Sequence, residues 1–383
     1  MATLPEIGVK YNHENIAPDE GGSMRISQLL MQMVAREASD LFLRTNAFPR
    51  ARINGKVQVM DPQMVSREEM ISITNFLLSS EERKRLFAQN LDIDFIHQEA
   101  GVGRFRINIF QQRGTPTIVA RHVYTRIKSF QELNLPVEIC QKLSEETRGL
   151  ILICGPAGSG KSTTIASMIE HINLTSEKHI ITIEDPIEFL YQDKKSIINQ
   201  RELGIDVHSY PIALRHVTQQ SPDIIFIGTT RDEATMRALV SAAELGTLVL
   251  TTFHTVNAIQ SIHRMINFFP PYLHEEVRLQ LSLILKGIIS LRLVAKKDGT
   301  GRIPAYETMV VTPTIARLIR EGTTKEIQSF IDEGALFGMK SFKQSLVGLV
   351  KANLVCEEDA LKLADSRDEF TLELKGIKRY HHS

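Results

Sequence analysis

The sequence of 383 residues has no surplus of charge, with 45 lysines and arginines against 45 aspartates and glutamates, and only three cysteines. Balanced charge leaves nothing global to favour nucleic acid or an acidic membrane as a partner, although a local basic face stays compatible with it. Cys140, Cys154 and Cys356 lie far apart without a C-x-x-C pair, which argues against a zinc site and against a disulfide framework. Cys154, inside an apolar run, reads as a small core residue. No segment approaches the roughly 18 to 20 uncharged apolar residues of a membrane span, and the first residues lack a signal-peptide pattern, so the expectation is a cytoplasmic protein. Internal repeats are missing too. What the chain does have is length: it is too long for one ordinary core, and two domains with tails are expected.

The pattern that organises the rest is RGLILICGPAGSGKSTT, from Arg148 to Thr164. Gly149 to Cys154 is an apolar run of strand length. It breaks into Gly155, Pro156, Ala157, Gly158, Ser159 and Gly160, and Lys161, Ser162, Thr163 and Thr164 then lead into an amphipathic helical segment. The G-x-x-x-x-G-K-[ST] spacing is complete. Glycines let main-chain N–H groups turn inward around a polyphosphate, and a helix N-terminus adds partial positive charge. Lys161 is then placed to reach β and γ phosphates, with the Ser162 hydroxyl as a ligand of Mg²⁺. Glycine-rich turns also arise between strand and helix for steric reasons alone.

Residues 1–23 are polar and aperiodic and read as a flexible arm. From Met24, Ile26, Leu29, Leu30, Met33 and Val34 recur at helical spacing, and strands follow at Asp40 to Arg44, Arg50 to Ile53 and Val57 to Met60, with Asn54-Gly55 as a hairpin signal. A helix from near Ser66, an acidic and basic helical face at Glu81 to Arg85, and strands at Leu91 to Ile96, Gly103 to Phe110 and Thr117 to Val123 complete an α+β domain over 24–123. A linker is expected over 124–136. Over 137–364 strands alternate with helices at Leu150 to Cys154, His179 to Glu184, Asp223 to Ile227 and Leu248 to Thr252, the pattern of an α/β fold with a largely parallel sheet. After Pro270-Pro271 the chain reads as helical, including the apolar stretch Val277 to Leu293, and 365–383 reads as a flexible tail.

In a parallel sheet the chemistry gathers at the carboxyl ends of the strands. After the second strand stand Glu184, Asp185 and Glu188, three carboxylates able to hold Mg²⁺ through water or to orient an attacking water, or simply an acidic turn with Pro186 as its corner. The third strand ends in Gly228-Thr229-Thr230-Arg231-Asp232. A threonine there can bind water but supplies no negative charge and takes no proton near neutral pH. Asp232 is a candidate to compensate, or half of a surface ion pair with Arg231. His254, after the fourth strand, can donate a hydrogen bond to a γ-phosphate or serve a structural role.

Together GPAGSGKSTT, TIEDPIEF, PDIIFIG and the neighbourhood of His254 resemble the PilT and PilU retraction ATPases of type IV pili, within the secretion-ATPase superfamily. The likeness runs from Met24 to about Ala364 and includes Ala38 to Leu41, Ile53 to Gly55, Gly103 to Arg106 and Ala316 to Gly322. It implies a PAS-like N-terminal domain and a RecA-like P-loop ATPase domain, using ATP and Mg²⁺ and assembled as a homo-hexamer. It further implies that Gly155 to Thr163 is Walker A, with Ser162 on the metal, that Thr182 to Phe189 is the aspartate box with Glu188 as its catalytic glutamate, and that His254 is the second histidine of a His box. Arg104, Arg106 and Arg121 fall where that family presents arginines to a neighbouring nucleotide; each is equally compatible with a solvated surface role. Partners implied are a pilus platform protein in the inner membrane, with the motor peripheral at its inner face, and a paralogous retraction ATPase; no nucleic acid is implied.

Three positions depart from the pattern. The Walker B glutamate is replaced by Thr229, the first His-box histidine by Thr247, and the acid before Thr235 by Ala234. Phe268 to Pro271, the LSLILKGIISLRLV run and Gly204 to Asp206 resemble PilU, an auxiliary partner of a main motor, more than PilT. Two expectations result: a retraction ATPase slower than is usual for the family, or a weakly active or inactive nucleotide-binding subunit that supports a paralogue. A small-molecule kinase shares the loop but is disfavoured by the PAS-like domain and the arginines directed at a neighbour.

Overall fold

The computed structural model describes residues 20–124 and 126–377. The chain divides at Val123–Tyr124 into two compact units, each with its own sheet and core.

In the first unit α1 (Glu20–Ala35) precedes β1 (Asp40–Arg44), β2 (Arg50–Ile53), β3 (Lys56–Val59), α2 (Arg67–Leu77), α3 (Glu81–Asn90), β4 (Asp92–Glu99), β5 (Gly103–Gln112) and β6 (Thr115–Val123). The six strands are antiparallel to their neighbours in the order β3-β2-β1-β6-β5-β4. Alternation along β5 sends Phe105, Ile107 and Ile109 into a core shared with α1 and α2, and leaves Arg104, Arg106 and Asn108 on the opposite face. Asn54 and Gly55 both have positive φ, 50° and 82°, as a two-residue hairpin turn of this kind demands. Ser66 starts α2 through a capping box with Glu69. Helix α1 begins before Met24, so the end of the stretch expected as an arm is helical; residues 1–19 of that arm lie outside the described residues.

The second unit carries α4 (Val137–Ser144), β7 (Gly149–Cys154), α5 (Lys161–Thr175), β8 (His179–Glu184), β9 (Ile197–Glu202), α6 (Tyr210–Val217), β10 (Ile224–Ile227), α7 (Glu233–Glu244), β11 (Leu248–Phe253) and α8 (Ala258–Ile266). It continues with α9 (His274–Ile284), β12 (Leu285–Ala295), β13 (Arg302–Val310), α10 (Pro313–Glu321), α11 (Ile327–Glu333), α12 (Phe342–Lys351), α13 (Glu357–Leu363) and α14 (Arg367–Leu374). Seven strands lie in the order β13-β12-β7-β11-β10-β8-β9, all parallel except the β12–β13 pair. Every residue of β7, β10 and β11 is buried, which is why these strands read as unbroken apolar runs. Their order brings the carboxyl ends of β7, β11, β10 and β8 side by side.

The structure corrects several expectations. The apolar stretch from Val277 is helical only to Ile284 and continues as β12, a strand buried on both faces, a state that periodicity does not separate from a buried helix. Strands β9 and β13 were not anticipated; β9 is half exposed and rich in polar residues. Within the stretch expected as a linker, Phe130 and Leu135 pack into the core of the second unit. Beyond Asp365, α14 inserts Phe370, fully buried, against α12, so one aromatic anchors a segment whose charge suggested a loose tail. Residues 378–383 lie outside the described residues.

Candidate nucleotide site

The loop from Gly155 to Gly160 joins β7 to α5, and its shape depends on glycine at both ends. Gly155 has φ 148° and Gly160 φ 98°. A Cβ at Gly155 would stand 2.5 Å from both Leu291 O and Ser159 Oγ, so no side chain fits between the loop and β12. Pro156, Ala157 and Gly158 form the exposed crest of the loop. Helix α5 starts at Lys161 with Gly160 as its N-cap and no capping side chain, which leaves its first amides to an external acceptor. Ser159 Oγ is buried without a hydrogen-bond partner.

Lys161 is buried, and its Nζ donates to Gly155 O at 2.8 Å and Pro156 O at 3.0 Å, so the ammonium is held over the mouth of the loop. Burial lowers its pKa, against the opposing pull of Cys154 and Glu188. Nζ also lies 3.5 Å from His254 Nδ1. Burial, Lys161 and Arg231 together lower the pKa of His254, which keeps the imidazole neutral with Nδ1 as acceptor. Ser162 and Thr163 are half-buried in the first turn of α5. The uncapped first amides of α5, one ammonium and an orphan hydroxyl fit a polyphosphate, and the Ser162 hydroxyl is a hard oxygen of the kind that would suit Mg²⁺. Among the described residues no group of three or more His, Cys, Asp or Glu forms a metal cluster of its own.

At the end of β8, Glu184 is buried and accepts from Thr182 Oγ1 at 2.6 Å and Gln200 Nε2 at 3.3 Å. Burial pushes its carboxyl up to about 7, with those hydrogen bonds opposing. A cis Asp185–Pro186 bond turns the chain, after which Asp185 is exposed and Glu188 half-buried. Glu188 acts electrostatically on both Lys161 and Glu184. The structure therefore gathers Lys161, Glu184, Glu188 and His254, drawn from three separated stretches of sequence, at one edge of the sheet.

The tip of β10 has no carboxylate for that edge. Thr230 Oγ1 pairs with Thr251 Oγ1 at 3.2 Å. Asp232, a candidate to compensate, instead caps α7, accepting from Thr235 N at 2.8 Å and from Thr235 Oγ1. Near this edge the structure adds Tyr210, whose phenol lies beside Gly228, and Glu307, whose buried carboxylate accepts from the main chain just after His254. A lone tyrosine at a helix start and a lone glutamate in a strand give no sequence signal.

The three arginines belong to the first unit and share one face of its sheet. Arg106 and Arg121 stand directly opposite each other on β5 and β6, and Arg104 lies on the same face opposite Val123. Arg106 is forked onto Asp94, and Arg121 Nε donates to Asp40 Oδ1 at 3.0 Å. Arg52 Nε reaches Asp40 Oδ2 at 3.2 Å from the other side.

Comparison with known proteins places this geometry in a context. The type II/IV secretion system protein family matches residues 23–353. The type IV pilus ATPase PilU of Pseudomonas aeruginosa is 39% identical over 356 residues, covering 92% of each chain. The type IV pilus retraction ATPase PilT of the same organism is 38% identical over 91% of this chain and 100% of its own. The crystal structure of the pilus retraction motor PilT with bound ADP superposes with a TM-score of 0.80 at 40% identity, covering 90% of this chain and 98% of that one.

Proposed function

The chain belongs to the type II/IV secretion system protein family, and from that premise we infer that it is a P-loop ATPase of type IV pilus retraction, the motor class of twitching motility. The observation that carries the reading is the convergence of Lys161, Glu188, Glu184 and His254 on a glycine loop that leads into the uncapped first turn of α5.

The loop, the first amides of α5 and Lys161 bind the polyphosphate of ATP, and the Ser162 hydroxyl would hold Mg²⁺, whose chemistry there would be to offset phosphate charge. Glu188, half-buried and not drawn into an ion pair with Lys161, takes a proton from the attacking water as its oxygen bonds to the γ-phosphorus and the bond to the bridging oxygen breaks. Neutral His254 orients Lys161 from one side and can donate from its other ring nitrogen. Arg104, Arg106 and Arg121 supply positive charge to the nucleotide of a neighbouring copy in a homo-hexamer. Hydrolysis around that ring drives pilin disassembly, with the motor bound to a platform protein at the inner face of the inner membrane. No helix among the described residues is long and apolar enough to cross a membrane, so that contact is peripheral in this reading.

Thr229 at the tip of β10 favours a second reading, in which the chain is a slow or inert nucleotide-binding subunit that supports a paralogous motor. Steady-state phosphate release by the purified protein separates the two. Turnover that is measurable, is abolished by Lys161→Ala and rises with Thr229→Glu supports a motor limited by its Walker B strand. Turnover at background with ATP still bound supports the auxiliary subunit. ATP binding unaffected by Lys161→Ala would remove the loop from both.

A further inference from the structure

Tyr210 is the first residue of α6, set in place by Ser209, whose hydroxyl accepts from Ile212 N, and by Pro211 in the first turn. Its side chain is 8% exposed and packs in the core of the second unit. The phenol oxygen is buried and makes no hydrogen bond of ordinary geometry. Its surroundings are those of the phosphate edge. A Cβ added at Gly228 would stand 3.3 Å from Tyr210 Oη and 3.4 Å from the Glu184 Cα, so the phenol fills the gap between the ends of β8 and β10 where glycine leaves room for it. Asp185, Arg231 and Glu184 are its charged neighbours, and Arg231 is also the neighbour of His254. The Thr229 N–H acts on the phenol oxygen as a weak donor, which leaves the phenol proton as the group without an acceptor.

A buried hydroxyl without a partner is costly unless something outside the protein completes it. The place where this one lies is the strand tip at which Thr229 provides no carboxylate. We propose that Tyr210 is a positioning residue for hydrolysis: its O–H donates to the attacking water, holding it at the ends of β8 and β10 where a Walker B glutamate would otherwise hold it. Water has two lone pairs, so one accepts from the phenol while the other faces the γ-phosphorus and a proton points to Glu188. Burial raises the phenol pKa well clear of neutrality, and Tyr210 therefore acts as a donor and never as the base. Glu188 keeps that role. This inference rests on the ATPase reading given above and deepens it.

The test is Tyr210→Phe, which removes one buried oxygen and keeps the ring. The expected result is a fall in kcat of about tenfold, the worth of one neutral hydrogen bond made to the reacting water. KM for ATP, the affinity for a non-hydrolysable ATP analogue and the oligomeric state should stay within twofold of the unsubstituted protein. The melting temperature of the nucleotide-free protein should be equal or higher, because an unsatisfied hydroxyl has been deleted. A crystal structure with the analogue should show a water on Tyr210 Oη that is missing in the Phe variant. Unchanged kcat overturns the proposal, as does a fall in kcat accompanied by a lower melting temperature or weaker analogue binding, which would mark Tyr210 as structural. If the unsubstituted protein binds ATP but shows no hydrolysis at all, the ATPase reading fails together with this one, whereas hydrolysis indifferent to the phenol overturns this one alone.

Discussion

Glu307 Oε1 accepts the main-chain N–H of Ala258 at 2.8 Å, so a buried carboxylate on β13 fixes the first turn of the helix that follows His254. Ser290 Oγ donates to the same oxygen at 3.4 Å and is itself 3.0 Å from Cys154 Sγ, the last residue before the phosphate loop. Burial pushes Glu307 up to about 7, and Glu184 up to about 7, from an ordinary 4.5. A carboxyl whose folded pKa is raised binds its proton more tightly in the native state. Stability is then greatest below about 4.5, declines as pH rises toward 7, and levels off above it. Each group loses on the order of 3 kcal/mol across that window. Glu307→Gln keeps an oxygen for Ala258 N and carries no charge. Denaturant titrations at pH 5 and pH 8 should show a smaller loss between the two pH values for the variant, and an equal loss would mean that Glu307 is not the titrating group.

The contact between Lys161 and His254 predicts a measurable titration. His254 lies below its ordinary 6.5 through burial, Lys161 and Arg231. Because the folded state resists protonation, His254 removes stability as pH falls through the range just below 6.5. In Lys161→Ala one of the two cations is gone, so the midpoint of His254 followed by NMR of the imidazole should rise toward 6.5 without reaching it, since burial and Arg231 remain. A midpoint that does not move would show that Nζ is not held near the ring in solution.

Much of the candidate site was legible in the sequence because its parts are local. The loop, the helix start at Lys161 and the carboxylates of residues 184–188 each announce themselves within a few residues, and the parallel order of the strands brings them together. The groups that complete the edge are legible only in three dimensions. Tyr210 reaches Gly228 from a different element, and Asp232 stands beside the strand tip but is taken up by the cap of α7. In the fold, the switch from α9 to β12 was hidden because Leu281 and Ile284 are buried in a helix and Ile288 and Ile289 in a strand, with equal apolar density. Phe370 shows the converse: one buried aromatic outweighs the charge around it.

Arg292 holds the C-terminal helices to the sheet. Its guanidinium donates to Leu363 O at 2.6 Å, Val256 O at 3.3 Å and Asp365 Oδ1 at 2.7 Å, and lies 3.8 Å from the centre of the Phe342 ring. Asp365 is largely exposed, so the carbonyl contacts and the ring carry most of the effect. Arg292→Ala should cost about 3 kcal/mol, and Arg292→Lys nearly as much, because an ammonium cannot serve three acceptors and stack at once. Hydrogen exchange should show the loss concentrated in α12, α13 and α14 while β7 and β11 stay protected. Uniform loss across the second unit would refute the assignment.

The arginines of the first unit are held by acids, and this sets a prediction about salt. Arg106 and Arg121 are directly opposed across β5 and β6, an arrangement of like charges that is unfavourable on its own. Asp94 on one side and Asp40 on the other offset it, and Asp40, 5% exposed, also takes Arg52 and the Ser39 hydroxyl, whose Oγ donates at 2.8 Å. Because the heads of Arg52 and Arg121 are about half exposed, each ion pair contributes less than its geometry suggests. Asp40→Asn should therefore cost about 1 to 2 kcal/mol. The sign of the salt response should change as well: added salt screens attraction in the unsubstituted protein, but after Asp40→Asn it screens repulsion among Arg52, Arg121 and Arg106 and recovers part of the loss. Melting temperatures at 50 mM and 500 mM salt decide it. A variant that loses stability equally at both concentrations would place the role of Asp40 in its hydrogen bonds rather than in its charge.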